Sequence, residues 1–321
     1  MTSMDAKVLD WLVCPHCGSG LAQRNATVQC EEGHRFPIVN GVARFNGDGL
    51  TKDAQSIHDS FSREWSHFDY ERDRTWGETV AERKRDFLRH TDLDADDLEG
   101  KLVLDAGCGN GALSNAISEY GCEVLATDIG GQVERANEWF AVHGTGRVHY
   151  AQADLMRPPF QAETFDVILC AGVLHHTPST KATFQKLVPA LKPGGTIFVW
   201  LYHHVPGPVV NGKLWVRKWM SRMPAPVKHA AVVGLLPQSM LRQEIRIRRG
   251  KQDPATRLNR HEKLVTMLDS FTCRYRWEHT PDELAGWYRE LGYTDIKTTE
   301  VGQWGFGVVA RRPPVDAAVA A

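Results

Sequence analysis

The segment at residues 101–111, KLVLDAGCGNG, constrains this chain more than any other. Three apolar residues, Leu102, Val103 and Leu104, run into Asp105 and then into Gly107, Gly109 and Gly111, and a helix-forming run over 112–120 follows at once. Glycines at a strand-to-helix turn tolerate positive φ and let the backbone approach a ligand beside the free N–H groups of a helix N-terminus. A nucleotide-like ligand is therefore expected at this turn. Gly107, Gly109 and Ala112 also satisfy the loose dinucleotide fingerprint, in which a pyrophosphate lies over the glycines. Asp105 aims a carboxylate at the same crevice, which opposes phosphate and favours a ligand with a cationic end.

Downstream, strands and helices alternate. Strands are expected over 123–127, 148–151, 165–170 and 196–202, with helices over 132–142 and 181–191 and a stop at Lys192-Pro193-Gly194-Gly195. Asp128 closes the second strand roughly twenty residues beyond the glycine turn, where a ribose-binding acid belongs. This alternation predicts a parallel sheet with helices on both faces. It stops after Tyr202 and resumes at Thr280-Pro281-Asp282-Glu283, a helix start, followed by strands over 294–301 and 306–311 around 302–305.

The first fifty residues are of another kind. Cys14-Pro15-His16-Cys17 and Cys30-Glu31-Glu32-Gly33-His34 are two short-spaced ligand pairs separated by a polar loop. Two tight turns converging on one tetrahedral ion suit zinc, with Cys14, Cys17, Cys30 and His34 as ligands and His16 left in solvent. Four protein ligands leave no open position, so a structural metal is expected. Gly47-Asp48-Gly49 then marks a linker, and 53–90 is polar, helical and studded with Phe61, Trp65, Phe68, Tyr70 and Trp76. The acidic run 92–99 is expected to be a solvated turn.

Composition narrows the classes. Lys and Arg total 38 against 39 Asp and Glu, so bulk charge makes no case for a nucleic-acid partner. No apolar run is long enough to span a bilayer. The seven cysteines are odd in number, and Cys108, Cys122, Cys170 and Cys273 stand singly, which suits a reducing cytoplasm better than a disulfide framework.

Taken together, VLDAGCGNG, TDIG (127–130), ADLMRPPF (153–160), FDVILCAGVLHH (165–176) and LKPGGTIFVWLY (191–202) resemble the class I S-adenosylmethionine-dependent methyltransferases. The resemblance covers roughly residues 100–202 and the last helix and strands. It implies a Rossmann-like α/β sheet of seven strands, the last antiparallel, with helices on both faces. It implies that Asp105, Gly107 and Gly109 contact the methionyl end of S-adenosylmethionine, and that Asp128, with Ile129 beside it, holds the ribose. Asp154 and Leu155 would flank the adenine, and Cys170 would offer a backbone carbonyl to the ammonium. Segments before the first strand commonly fold over the cofactor in such proteins, which brings in Trp65, Tyr70 and Trp76. The amino-terminal pattern resembles the zinc ribbon of methyltransferase-activator proteins, and its Cys30/His34 variant resembles the zinc element of bacterial large-subunit rRNA guanine methyltransferases. The organisation expected is a ribbon over 1–48, a helical cap over 49–99, a methyltransferase core over 100–202 and 281–312, a substrate-side insertion or lid over 203–280, and a tail over 313–321.

The acceptor is less constrained. Bases for it are sought beyond the ends of the fourth and fifth strands, at His175, His176, Tyr202, His203 and His204, with Tyr275, Trp277 and His279 closing the pocket. The first expectation is a small-molecule O-methyltransferase of secondary metabolism, whose insertion, mixing apolar residues with arginines, suits an amphipathic, lipid-like or prenyl diphosphate acceptor. The alternative is tRNA or rRNA base methylation, since VLHHTPST resembles tRNA wobble-uridine methyltransferases and the basic insertion offers phosphate contacts. A non-catalytic binding module is the third.

Overall fold

The protein is described by a computed structural model covering residues 4–46, 50–66, 68–71, 74–204, 215–217, 219–220, 222–302 and 304–315. The linker glycines at 47–49, the start of the insertion at 205–214, Lys218, Gln303 in the final turn and the end of the tail lie outside the described residues.

Eleven strands make one sheet: β1 (Leu21–Arg24), β2 (Thr27–Cys30), β3 (Arg35–Val39), β4 (Val42–Arg44), β5 (Leu102–Ala106), β6 (Glu123–Asp128), β7 (Val148–Gln152), β8 (Phe165–Ala171), β9 (Leu191–Tyr202), β10 (Thr294–Val301) and β11 (Gly305–Arg311). Their order is β1-β2-β3-β4-β7-β6-β5-β8-β9-β11-β10. The seven from β7 to β10 are the expected core, parallel except for β11, which runs antiparallel to both β9 and β10. The amino-terminal ribbon joins this core directly, because β4 pairs in parallel with β7 through Ala43↔Ala151 and Arg44↔Gln152.

Side chains alternate across a strand, and the two faces bury different partners. Leu104, Ala106, Ile168, Ile197 and Val199 face one way, packing with Phe184 and Leu187 of α5 (Thr180–Leu187), Leu284 and Tyr288 of α8 (Pro281–Glu290), and the ribbon residues Val8, Leu12, Val28 and Phe36. Val103, Val167, Leu169, Phe198 and Val309 face the other way, onto Phe87 of α2 (Val80–Thr91) and Leu113 and Ile117 of α3 (Ala112–Ser118). The ribbon thus shares a core with the sheet rather than packing alone.

The Lys192–Gly195 stop expected from the sequence is instead part of β9. Phe165 pairs with Leu191 and Val167 with Thr196, so the extra residues bulge within the ladder, with Gly194 at φ 78°. The helix start at Thr280 forms as expected: its hydroxyl accepts from the Glu283 N–H, and Pro281 opens α8.

Two helices close the carboxyl ends of the parallel strands. α1 (Lys52–Ser66) carries Phe61 and Trp65, and α7 (Arg260–Thr272) lies in the insertion and meets them through Val265. α7 also packs on α6 (Ala225–Arg248) through Val232, Leu236, Leu264 and Leu268. The strand order reverses between β5 and β8, and in open α/β sheets the crevice at such a switch point is where ligands bind. α1 and α7 roof that crevice. Among the described residues no helix is long and apolar enough to cross a membrane.

Candidate active site

The glycine turn leaves β5 with Gly107 at φ 97°, Gly109 at 58° and Gly111 at 73°, the region that favours glycine. It is closely covered. A Cβ on Gly107 would lie 2.1 Å from Val173 Cγ2, and one on Gly109 would lie 3.0 Å from the Trp65 indole. Tyr70 donates its hydroxyl to the Asn110 carbonyl at 2.9 Å, whereas Trp76, edge-on to Trp65, remains 46% exposed.

Asp105 is buried below the turn and accepts a 2.6 Å hydrogen bond from the Ser114 hydroxyl. Burial pushes its carboxyl up to about 6, against the opposing pull of Ser114 and the Arg83 charge. A buried acid poised in this way gains from a ligand cation. At the end of β6, Asp128 accepts from the Gly109 N–H (3.0 Å) and the Gly130 N–H (2.9 Å), one on each oxygen. Each oxygen keeps a lone pair, so the carboxylate is fixed for a two-pronged contact with vicinal hydroxyls. The Ile129 carbonyl accepts from Asn46 and Gln152, which ties the ribbon's end to this loop. Asp154 accepts from the Met156 N–H at 2.8 Å, and Leu155 is buried in the main core. Cys170 is fully buried with its thiol pKa pushed up by burial, so the side chain brings no thiolate to the site.

Across the crevice, β8 and β9 deliver the acceptor-side residues. The Tyr275 carbonyl can only accept, so His176 Nδ1, 2.9 Å away, carries a proton and Nε2 faces Asp269 Oδ1 at 3.3 Å. Tyr202 donates its hydroxyl to Asp269 Oδ2 at 2.5 Å, and Arg276 stacks over the Tyr202 ring. His175 accepts the Tyr202 N–H on Nδ1 at 3.3 Å, which leaves Nε2 as a protonated donor, buried and without a partner. Burial and the neighbouring cations hold His175 neutral, its pKa well below the usual histidine value. His175 is thus built as a hydrogen-bond donor and not as a base. The other two histidines sit apart from this group: His203 is edge-on to Phe306, and His204 is exposed and pairs with Glu278 at 3.0 Å. Tyr275, Trp277 and His279 lie along the 175–180 loop, where Trp277 donates to the Thr177 carbonyl and His279 bonds Thr180.

Two residues that the sequence pattern passes over belong to this site. Glu64 of α1 is completely buried, and neither carboxylate oxygen has a hydrogen-bond partner among the described residues. Burial pushes its pKa well above the carboxylate range, and the charges of Asp269 and Asp128 push it the same way. Glu64 lies on a helix face with Ala54, Ile57, Ser60 and Trp65 and carried no signal of its own in the sequence. Asp269, in the irregular insertion, carried none. Gln132, at the start of α4 (Gln132–His143), adds a buried amide beside the Asp128 carboxylate. Buried polar groups are normally satisfied, so the unpartnered Glu64 carboxyl marks a place for a polar partner.

In the ribbon, Cys14, Cys17, Cys30 and His34 bring their ligand atoms within 4.8 Å of one another, with Cys30 Sγ 3.3 Å from His34 Nδ1 and 3.7 Å from Cys17 Sγ. His16 is exposed and lies against Phe36, outside the cluster. Three sulfurs and one imidazole nitrogen fit a closed tetrahedral zinc site.

The comparisons agree with this geometry. Residues 104–199 match the family model described as a methyltransferase domain. Over that stretch the chain is a methyltransferase domain. The ubiquinone biosynthesis O-methyltransferase of Idiomarina loihiensis is 38% identical over 104 residues, 32% of this chain and 43% of that protein. The protein of the same name from Haemophilus ducreyi is 34% identical over 110 residues, 33% of this chain and 47% of that one. The chain therefore spans less than half the length of these curated relatives. Among solved structures, the 1,6-didemethyltoxoflavin-N1-methyltransferase of Burkholderia thailandensis is 19% identical with a TM-score of 0.47, covering 87% of this chain and 95% of that one.

Proposed function

We propose that this chain transfers a methyl group from S-adenosylmethionine to a hydroxyl oxygen of a small biosynthetic molecule, and that its ribbon holds one structural zinc ion. The observation that carries the reading is the buried, unpartnered carboxyl of Glu64 on α1, the helix that covers the glycine turn through Trp65. The relatives named for O-methylation support oxygen as the acceptor atom, and their place in quinone biosynthesis favours a phenol-like acceptor over one tied to secondary metabolism.

S-adenosylmethionine supplies an electrophilic methyl on a sulfonium, displaced in line by the acceptor. The protein's contribution is alignment, exclusion of water and management of one proton. Asp105 and the turn backbone would hold the methionyl end, Asp128 the ribose, and Asp154 and Leu155 the adenine edge. Trp65 and Val173 seal the turn from water. His175 Nε2–H donates to an acceptor oxygen, and Glu64, a carboxylate made more basic by burial, takes the hydroxyl proton as the new C–O bond forms.

Part of the basic character of the insertion is internal. Arg217 and Lys228 are buried and donate to the Cys273 and Thr272 carbonyls, which removes them from any phosphate-facing surface. Incubation with methyl-labelled donor and a mixture of catechols and cell extract tests the assignment. Label in a small, organic-extractable product is expected. Label confined to RNA and released by ribonuclease would overturn it in favour of the RNA reading.

A further inference from the structure

Beside the donor crevice lies a second group of metal-ligating atoms. His176 Nε2, Asp269 Oδ1 and Cys273 Sγ are all buried and lie within 4.8 Å of one another. Asp269 and Cys273 are four residues apart at the end of α7, a spacing that puts both on one helix face. His176 approaches from the turn after β8.

Three features make this more than a chance cluster. The Tyr275 carbonyl fixes a proton on His176 Nδ1 and so turns Nε2 toward Asp269 Oδ1, 3.3 Å away, where a protonated imidazole makes an ion pair. The Cys273 thiol donates to the same Asp269 oxygen at 3.9 Å, so a metal ion at this point would take the place of the protons that the three side chains share. Each ligand is also anchored from behind: His176 by the Tyr275 carbonyl, Asp269 by the Tyr202 hydroxyl at 2.5 Å, and the Cys273 backbone by Arg217. Backing of an imidazole by a carbonyl and of a carboxylate by a hydroxyl is how outer partners orient metal ligands. Finally, Glu64, buried and unpartnered, presents a further carboxylate to the same interior.

We propose that His176 Nε2, Asp269 Oδ1 and Cys273 Sγ bind a divalent cation of the zinc class, separate from the ribbon ion. A nitrogen, an oxygen and a sulfur donor select a borderline transition metal over magnesium or calcium. Binding releases the Cys273 thiol proton to solvent and forms the metal–sulfur bond without change of oxidation state. Three protein ligands leave a fourth position open, as in catalytic rather than structural zinc sites. The role of that position, polarising an acceptor hydroxyl beside Glu64, rests on the methyltransferase reading. The ion itself does not.

The test is metal stoichiometry of the full chain, read without any activity assay. Chelator-stripped protein is titrated with cobalt(II) and, in parallel, loaded with zinc and analysed for metal after desalting. About two ions per chain are expected, one for each site. Cys273→Ser and His176→Gln should each lower the count by one while Cys17→Ser affects only the ribbon ion. S-adenosylhomocysteine affinity and circular dichroism confirm that each variant is folded. One ion in the wild type, or two retained in both Cys273→Ser and His176→Gln, would overturn the site. Two ions with no methyl transfer would uphold the site and refute the functional reading instead.

Discussion

Gly107→Ala is the sharpest probe of the turn that organises the molecule. An alanine there would sit at φ 97°, in the region L-residues avoid, and its Cβ would lie 2.1 Å from Val173 Cγ2, 2.8 Å from Cγ1 and 2.9 Å from Cβ. The left-handed backbone costs about 1–2 kcal/mol. Overpacking against a branched side chain adds about 1–3 kcal/mol, because Val173 begins a tight turn and has no easy escape. The expected loss is therefore about 2–5 kcal/mol in urea unfolding followed by fluorescence. Val173→Ala alone, at a half-buried position, should cost about 1 kcal/mol for the methyl groups removed. The two costs should not add. In the double variant the contacts with both Cγ atoms are gone, while the 2.9 Å approach to the remaining Cβ and the backbone term stay, so the pair should show a favourable coupling of about 1 kcal/mol or more. Additivity of the two changes within about 0.5 kcal/mol, or a harmless Gly107→Ala, would show that Val173 does not close this turn.

Other consequences follow from the same residues. Glu64→Gln should lower turnover by about 10²–10⁴-fold with little change in donor affinity, as expected for loss of a general base. It should also stabilise the fold. Burial raises the Glu64 pKa above its ordinary 4.5, so the ionised carboxylate that serves as base is also the form that costs the fold, and stability falls as pH rises from that value through the raised one. The variant's advantage should therefore grow from pH 5 to pH 8, reaching about 1–3 kcal/mol in chemical denaturation. Asp105, with its carboxyl at about 6, must ionise to receive an ammonium, so S-adenosylhomocysteine affinity should fall as pH drops below 6, approaching tenfold per unit. Calorimetry across pH 5–7 checks this, and a flat profile contradicts it. Because ribbon residues Val8, Leu12 and Phe36 share the sheet's core and β4 pairs with β7, zinc removal or Cys30→Ser should destabilise the whole molecule in one transition. A loss of at least about 3 kcal/mol is expected, a fraction of what structural zinc contributes to isolated fingers.

How much of this was legible in the sequence depended on whether the pattern was local. The glycine turn, Asp128 and the two short cysteine pairs are contiguous signatures whose chemistry dictates their spacing, and the structure gathers each where the pattern points. The alternating apolar runs gave the sheet for the same reason. The Lys192–Gly195 segment misled because proline and glycines that usually end an element here form a bulge inside β9, where the neighbouring strand supplies the pairing. Glu64 and Asp269 were invisible as site residues because their meaning comes from α1 and α7 meeting over the crevice, a contact 205 residues apart in sequence for that pair (269 − 64). His175 and His176 show the complementary lesson. Adjacent in sequence and alike in type, they take opposite proton assignments because one faces the Tyr202 N–H and the other the Tyr275 carbonyl.

The crevice between β5 and β8 is proposed as the site of the methyl donor. Calorimetric titration with S-adenosylhomocysteine tests it directly. One site per chain is expected and, for Asp128→Ala with an unchanged circular dichroism spectrum, an affinity about 100-fold weaker, as for one to two charge-assisted hydrogen bonds. Absence of binding by the zinc-loaded wild type, or equal affinity in Asp128→Ala, would contradict it.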